Sequence, residues 1–108
     1  MSATLQSGIV VLAAIALAAC SDLVQVKPGA DAVHVSSIAG AGNCAAHGSV
    51  HVSVIHNIGP FDRSALTVED ELATLARNSA AASGGDTVAP NGPVLNGARD
   101  FNIYVCGK

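Results

Sequence analysis

The spacing of apolar residues in this chain changes period twice, from two to the helical value and back, and those changes restrict the folds open to it. From Gly48 to Ile55 every second residue is apolar, with Val50, Val52 and Val54 on one side and His51 and Ser53 on the other. A period of two marks a strand with one buried face. Arg99 to Cys106 repeats the pattern, turning Phe101, Ile103 and Val105 toward a core and Asn102, Tyr104 and Cys106 away from it. Ala32 to Ser36 is a shorter case, with Val33 and Val35 opposite His34 and Ser36, and Ala39-Gly40-Ala41-Gly42-Asn43 breaks it. Between these strands, Thr67 to Ser83 follows helical spacing, and Val68, Leu72, Leu75, Ala76, Ser79 and Ala82 fall on one narrow, alanine-rich face. The expected fold is therefore α+β: a small antiparallel or mixed sheet of three to four strands with one packed helix.

Local chemistry marks the ends of these elements. Thr67 is placed to cap the helix, with Asp70 three residues on, and Glu69, Asp70 and Glu71 suit the positive end of a helix dipole. Gly84-Gly85 supplies a stop. Asp86 to Ala89 reads as a short strand, and Pro90 to Ala98, with Gly92-Pro93 and Asn96-Gly97, reads as a loop.

The N-terminal segment follows a different rule. Gly8 to Ala19 is a run of 12 apolar or small residues, whereas a helix needs about 20 to cross a bilayer core. It ends in Leu17-Ala18-Ala19-Cys20, which resembles the lipobox of bacterial lipoprotein signal peptides. That resemblance implies removal of residues 1–19 and lipidation of Cys20, which then becomes the new N-terminus. The other reading of the run is a buried core helix of a cytoplasmic protein. Ser21, not aspartate, follows the cysteine, with Asp22 next; under the enteric sorting rule this implies the outer membrane, with the protein facing the periplasm. Residues 20–31 then read as the lipidated N-terminus and a short tether, Ser21 to Ala30 spanning at most about 35 Å. Residues 32–108 form the domain.

Two cysteines remain, Cys44 and Cys106, an even pair in a compartment that oxidises thiols. A disulfide between them would close a loop of about 60 residues, for which chain entropy suggests about 4 kcal/mol. Two free buried thiols are the alternative. Because Cys106 lies on the face away from the core, the bond requires the segment before the second strand to fold over that face, or the ladder to bend near its end. All five Lys and Arg and all eight acidic residues follow Cys20, giving a net charge of −3. No basic stripe is present to bind nucleic acid, and no basic amphipathic face to bind anionic headgroups.

An early cysteine before a Val-rich strand, the helix through Leu75-Ala76-Arg77-Asn78-Ser79-Ala80-Ala81, then Gly84-Gly85-Asp86-Thr87-Val88 and a closing Phe101-Asn102-Ile103-Tyr104-Val105-Cys106 together resemble a family of small bacterial lipoproteins of unknown function. That family is similar to RcsF, the outer-membrane lipoprotein that senses envelope stress. The resemblance spans about Val33 to Cys106. It implies an envelope partner and carries no active site to transfer.

Individual chemical candidates are few. His47 and His51 have helical ligand spacing but lie in or near a strand, where four residues span about 13 Å, too far for one metal. His51 and His56 lie on opposite faces if the strand continues, and His34 belongs to another element, so no metal is expected and solvent-facing histidines are the simpler account. Gly40-Ala41-Gly42-Asn43-Cys44-Ala45 fits a loose dinucleotide pattern, yet no helix follows it. No Gly-x-Ser-x-Gly elbow occurs. Glu69-Asp70-Glu71 serves a helix start better than a hydrolytic carboxylate pair. The expected role is a lipid-anchored envelope protein that works through protein contacts, in stress sensing or envelope maintenance, without catalysis or cofactor. The alternative is a small periplasmic module that binds cell-wall fragments or a metal ion.

Overall fold

Nineteen residues from Ala65 to Ser83 form α1, the one α-helix among the described residues, and its inner stripe decides where the sheet lies. A computed structural model of the chain describes residues 24–107. Val68, Leu72, Ala76 and Ala80 lie on the buried side of α1 and meet Val33, Val52, Val88, Phe101 and Ile103 from the sheet. Phe101, Leu72 and Val88 are the largest side chains fully shielded from solvent. Alanines at 76 and 80 let the helix sit close to the sheet, so a core with little aromatic content still packs densely.

Among the described residues the strands are β1 (His34–Val35), β2 (Ala45–Ser53), β3 (Asn57–Ile58), β4 (Phe61–Asp62), β5 (Thr87–Leu95) and β6 (Ala98–Val105), with a 3-10 turn at Ala30–Ala32 before β1. Four of them form a mixed sheet in the order β1-β5-β6-β2, and β3 and β4 form a separate hairpin. β1 runs parallel to β5, and the other pairs are antiparallel. The expected α+β architecture, the sheet of three to four strands and the packed helix are all present.

β1 and β2 sit at opposite edges, so residues 36–44 must carry the chain across the sheet. The helix occupies the inner face. Thr87 and Ala89, which point to the outer face, are nonetheless buried, as is Ala41 within the crossing segment, and this marks the path of the crossing.

Several boundaries differ from the sequence expectation, each for a local reason. The helix starts two residues earlier than Thr67, with Ser64 at the N-cap and no side-chain cap bond. Thr67 is therefore inside the first turn, and Glu71 is engaged by Arg63 instead of serving the dipole. Ala82 is exposed, whereas Asn78 is buried. Its amide accepts the N–H of Lys27 at 2.9 Å and donates to the Gln25 carbonyl at 2.9 Å. Arg77 Nε donates to the carbonyls of Ala30 and Val33. The last part of the expected tether is thus strapped to the side of α1.

Pro90 to Leu95 is strand, not loop. β1 pairs with β5 only through Val88, so β5 becomes an edge strand beyond that point, and an edge tolerates proline because no ladder bond is lost there. The β5 pairing is irregular between Asn91 and Leu95, where Arg99 Nε donates to the Gly92 carbonyl at 2.8 Å. Asn96-Gly97 forms the tight turn into β6.

Candidate functional site

The two ends of the sheet are built from different chemistry. At one end β2 begins at Ala45, earlier than the alternation from Gly48 indicates, and Ala45 pairs with Val105. Between Ala46 and Ser49 the register slips by one residue, a β-bulge at His47-Gly48. Gly48 has φ 114°, a conformation that L side chains rarely adopt.

The slip decides whether the disulfide can form. After the bulge, even-numbered β2 residues face the helix with Phe101; before it, odd-numbered residues do, because Ala45 opposes Val105 and Ala46 opposes Tyr104. Cys44 therefore falls on the outer face opposite Cys106, and the two are bonded with their Cα atoms 4.4 Å apart. In an unbroken ladder Cys44 would share the helix side with Val50 and Val52. Both routes expected for this bond are present: residues 36–44 cross the outer face, and the ladder bends at the bulge.

His47, within the bulge, hydrogen-bonds through Nε2 to the Ser83 carbonyl at 2.6 Å, so this nitrogen donates and satisfies an otherwise free carbonyl at the helix end. Asp86 closes the seam. Its carbonyl accepts the N–H of His34, its N–H donates to the Tyr104 carbonyl, and its carboxylate accepts the N–H of Cys106 at 2.8 Å and the Thr87 hydroxyl at 3.0 Å. The Cys106 N–H is the main reason this carboxyl stays below its usual range. Partial desolvation opposes the effect, while the Thr87 hydroxyl, the charge of His34 and the Gly107 N–H add to it.

At the opposite end of β2 the chain leaves the sheet as the β3–β4 hairpin, an element the sequence pattern does not reveal. Asn57 pairs with Asp62 and Ile58 with Phe61, and Gly59, at φ 60°, takes the first turn position ahead of Pro60. The Arg63 N–H donates to the His56 carbonyl and closes the base. Directly paired residues share a face, so Ile58 and Phe61 form an apolar side and Asn57 and Asp62 a polar one. Phe61 is 74 % exposed and Ile58 62 %, with Ile55 at the hairpin base also exposed.

Arg63 binds Glu71 in two-point fashion at 2.7 and 2.8 Å and also donates to the Ile55 carbonyl. The bond to Glu71 outweighs desolvation and holds the guanidinium firmly protonated. This pair borders an open groove of about 580 Å³ whose walls include Val54, Ile55 and Leu75, together with Val24 from the start of the described chain. A shallower cleft of about 300 Å³ on the other side of Arg63 is lined by His56, Asp62, Glu69 and Val94 among others.

The remaining candidates are scattered. Cys20 lies outside the described residues. His51 Nδ1 meets Asp100 Oδ1 at 2.6 Å on the open face of the sheet, both side chains well exposed, while His47 of the same strand is held at the helix end by the Ser83 carbonyl and His34 and His56 lie outside β2. Among the described residues no three of His, Cys, Asp and Glu come together in a metal-holding group, and no helix is long and apolar enough to cross a membrane. Asp100 and Asp86, the carboxylates that touch His51 and the disulfide strand, carry no distinguishing sequence signal; each becomes visible only through strand register.

Residues 24–106 match the model of a family described as a domain of unknown function, DUF4156, and the chain belongs to that family. No curated protein matches the chain, and no solved structure does.

Proposed function

We propose that this DUF4156 protein is a lipid-anchored component of the bacterial envelope that faces the periplasm and acts by holding a protein partner near the membrane. The observation that carries the reading is Leu17-Ala18-Ala19-Cys20 at the end of a 12-residue apolar run, only four residues ahead of the point where the family domain begins. The Cys44–Cys106 bond supports it, because such bonds persist in oxidising compartments. Ser21 after the anchor cysteine favours the outer membrane. For the partner, β2 offers its outer edge: β6 pairs with one side only, and among the described residues no strand takes the other. An open edge accepts an added strand from another protein. Stress sensing and envelope maintenance both fit a partner held in this way.

The groove beside Arg63 and Glu71 favours a second reading. Its volume of about 580 Å³ is within the roughly 300–1,000 Å³ of small-ligand sites, and its mixture of apolar walls and one ion pair suits a cell-wall fragment.

Replacing the anchor residue tests the first reading. Cys20→Ala is expected to take no fatty-acid label and to leave the membrane fraction, while the unaltered chain is labelled and retained. Equal retention of both would contradict it.

A further inference from the structure

Because Gln25 and Lys27 are bound to Asn78 and Ala30 is buried against Arg77, the stretch between Cys20 and the strapped segment is only four residues long. It reaches at most about 14 Å, well short of the 35 Å that a tether of ten residues allows. The point where it joins the fold is also fixed. Val24 lines the same groove as Ile55 and Arg63, the residues from which the β3–β4 hairpin departs. Resting on the proposed anchoring at Cys20, we infer that this hairpin lies against the bilayer with Ile58 and Phe61 in its interfacial layer.

The hairpin is suited to that position. Its paired Ile58 and Phe61 give one apolar side, exposed in the folded protein without a covering element among the described residues, and its Asn57 and Asp62 give the other side a surface for water. Transfer of apolar side chains from water to the interface is favourable in proportion to area, and an adjacent covalent anchor removes most of the entropic cost of bringing them there. Lipid is favoured over a second copy of the chain or a protein partner because Val24, the described residue nearest the anchor in sequence, lines the groove at the foot of this hairpin. The attraction does not depend on anionic headgroups. Arg63 is already paired with Glu71, and Asp62, Glu69 and Asp70 are the other charges nearby in sequence.

The chain contains no tryptophan, so Phe61→Trp in the full-length protein, purified from membranes, provides a single reporter at an exposed site. In vesicles of phosphatidylethanolamine and phosphatidylglycerol its emission is expected to shift to the blue and to lose intensity when the acyl chains are brominated. Ile38→Trp, on the crossing segment, should keep its solvent-exposed spectrum in the same vesicles. A protein that carries acyl chains and floats with vesicles, yet keeps Trp emission at position 61 unshifted and unquenched, overturns this inference and leaves the anchor intact. A protein without acyl chains that fails to float overturns both. A blue shift insensitive to bromination and accompanied by a doubling of mass assigns the patch to a second copy and also overturns it.

Discussion

The disulfide end and the hairpin end of the sheet are only one β2 strand apart, yet they are stabilised in opposite ways. The first is closed: a covalent bond, a carboxylate with two donors and a histidine on a helix carbonyl leave little unpaired. The second is open, with Ile55, Ile58 and Phe61 uncovered and the base secured through Arg63, by its N–H to His56 and its side chain to Glu71 and Ile55. Stability is concentrated where the chain meets itself, and contact surface is kept where it meets the proposed membrane.

The strongest way to break that contrast is to insert a second glycine after Gly48. The added residue moves Cys44 one place along the ladder and turns it toward the helix, whereas deleting Gly48 would leave Cys44 opposite Cys106. The expected outcome of the insertion is two free thiols and a loss of at least about 4 kcal/mol, read by alkylation and denaturant unfolding. A fully oxidised insertion variant would show that the register before the bulge does not govern the bond.

Breaking the bond alone is the next test. Cys44→Ser should lower stability by about 4 kcal/mol on the chain-entropy estimate, and Cys106→Ser added to it should cost little more, because the pair acts as one unit. Phe61→Ser at the open end should stay within about 0.5 kcal/mol, as exposed substitutions usually do. Additive cysteine losses would contradict a shared bond.

A smaller effect, and one that depends on pH, belongs to Asp86. Its folded carboxyl titrates below its unfolded value, so its contribution is present above the ordinary carboxylate range, near pH 4, and is lost as pH falls through the lower folded value. Asp86→Asn should therefore lower the melting temperature at neutral pH, and the gap to the unaltered protein should narrow in acid. A gap that stays constant from pH 7 to pH 3 would remove the carboxylate from the account.

Much of the fold is legible in the residues because burial writes itself as a period. Val50, Val52, Phe101 and Ile103 face the core as their alternation requires, and Val68, Leu72 and Ala76 do so at helical spacing. What stays hidden depends on neighbours distant in sequence. Pro90 and Pro93 look like loop residues because nothing local says that β5 becomes an edge. Asn78 looks solvent-exposed until the segment around Gln25 and Lys27 covers it. Gly48 looks like the start of a strand, not its bulge, so the parity switch that joins Cys44 to Cys106 cannot be read from the pattern. The hairpin is too short for two residues per strand to show a period. Of the site, the cysteines are legible and the exposed apolar side of the hairpin is not.

The most direct test of the proposed anchoring is the intact mass of the protein taken from bacterial membranes. The account predicts a chain that begins at Cys20, carries acyl chains on that residue and resists alkylation at Cys44 and Cys106. An unmodified chain that still begins at Met1 would contradict it.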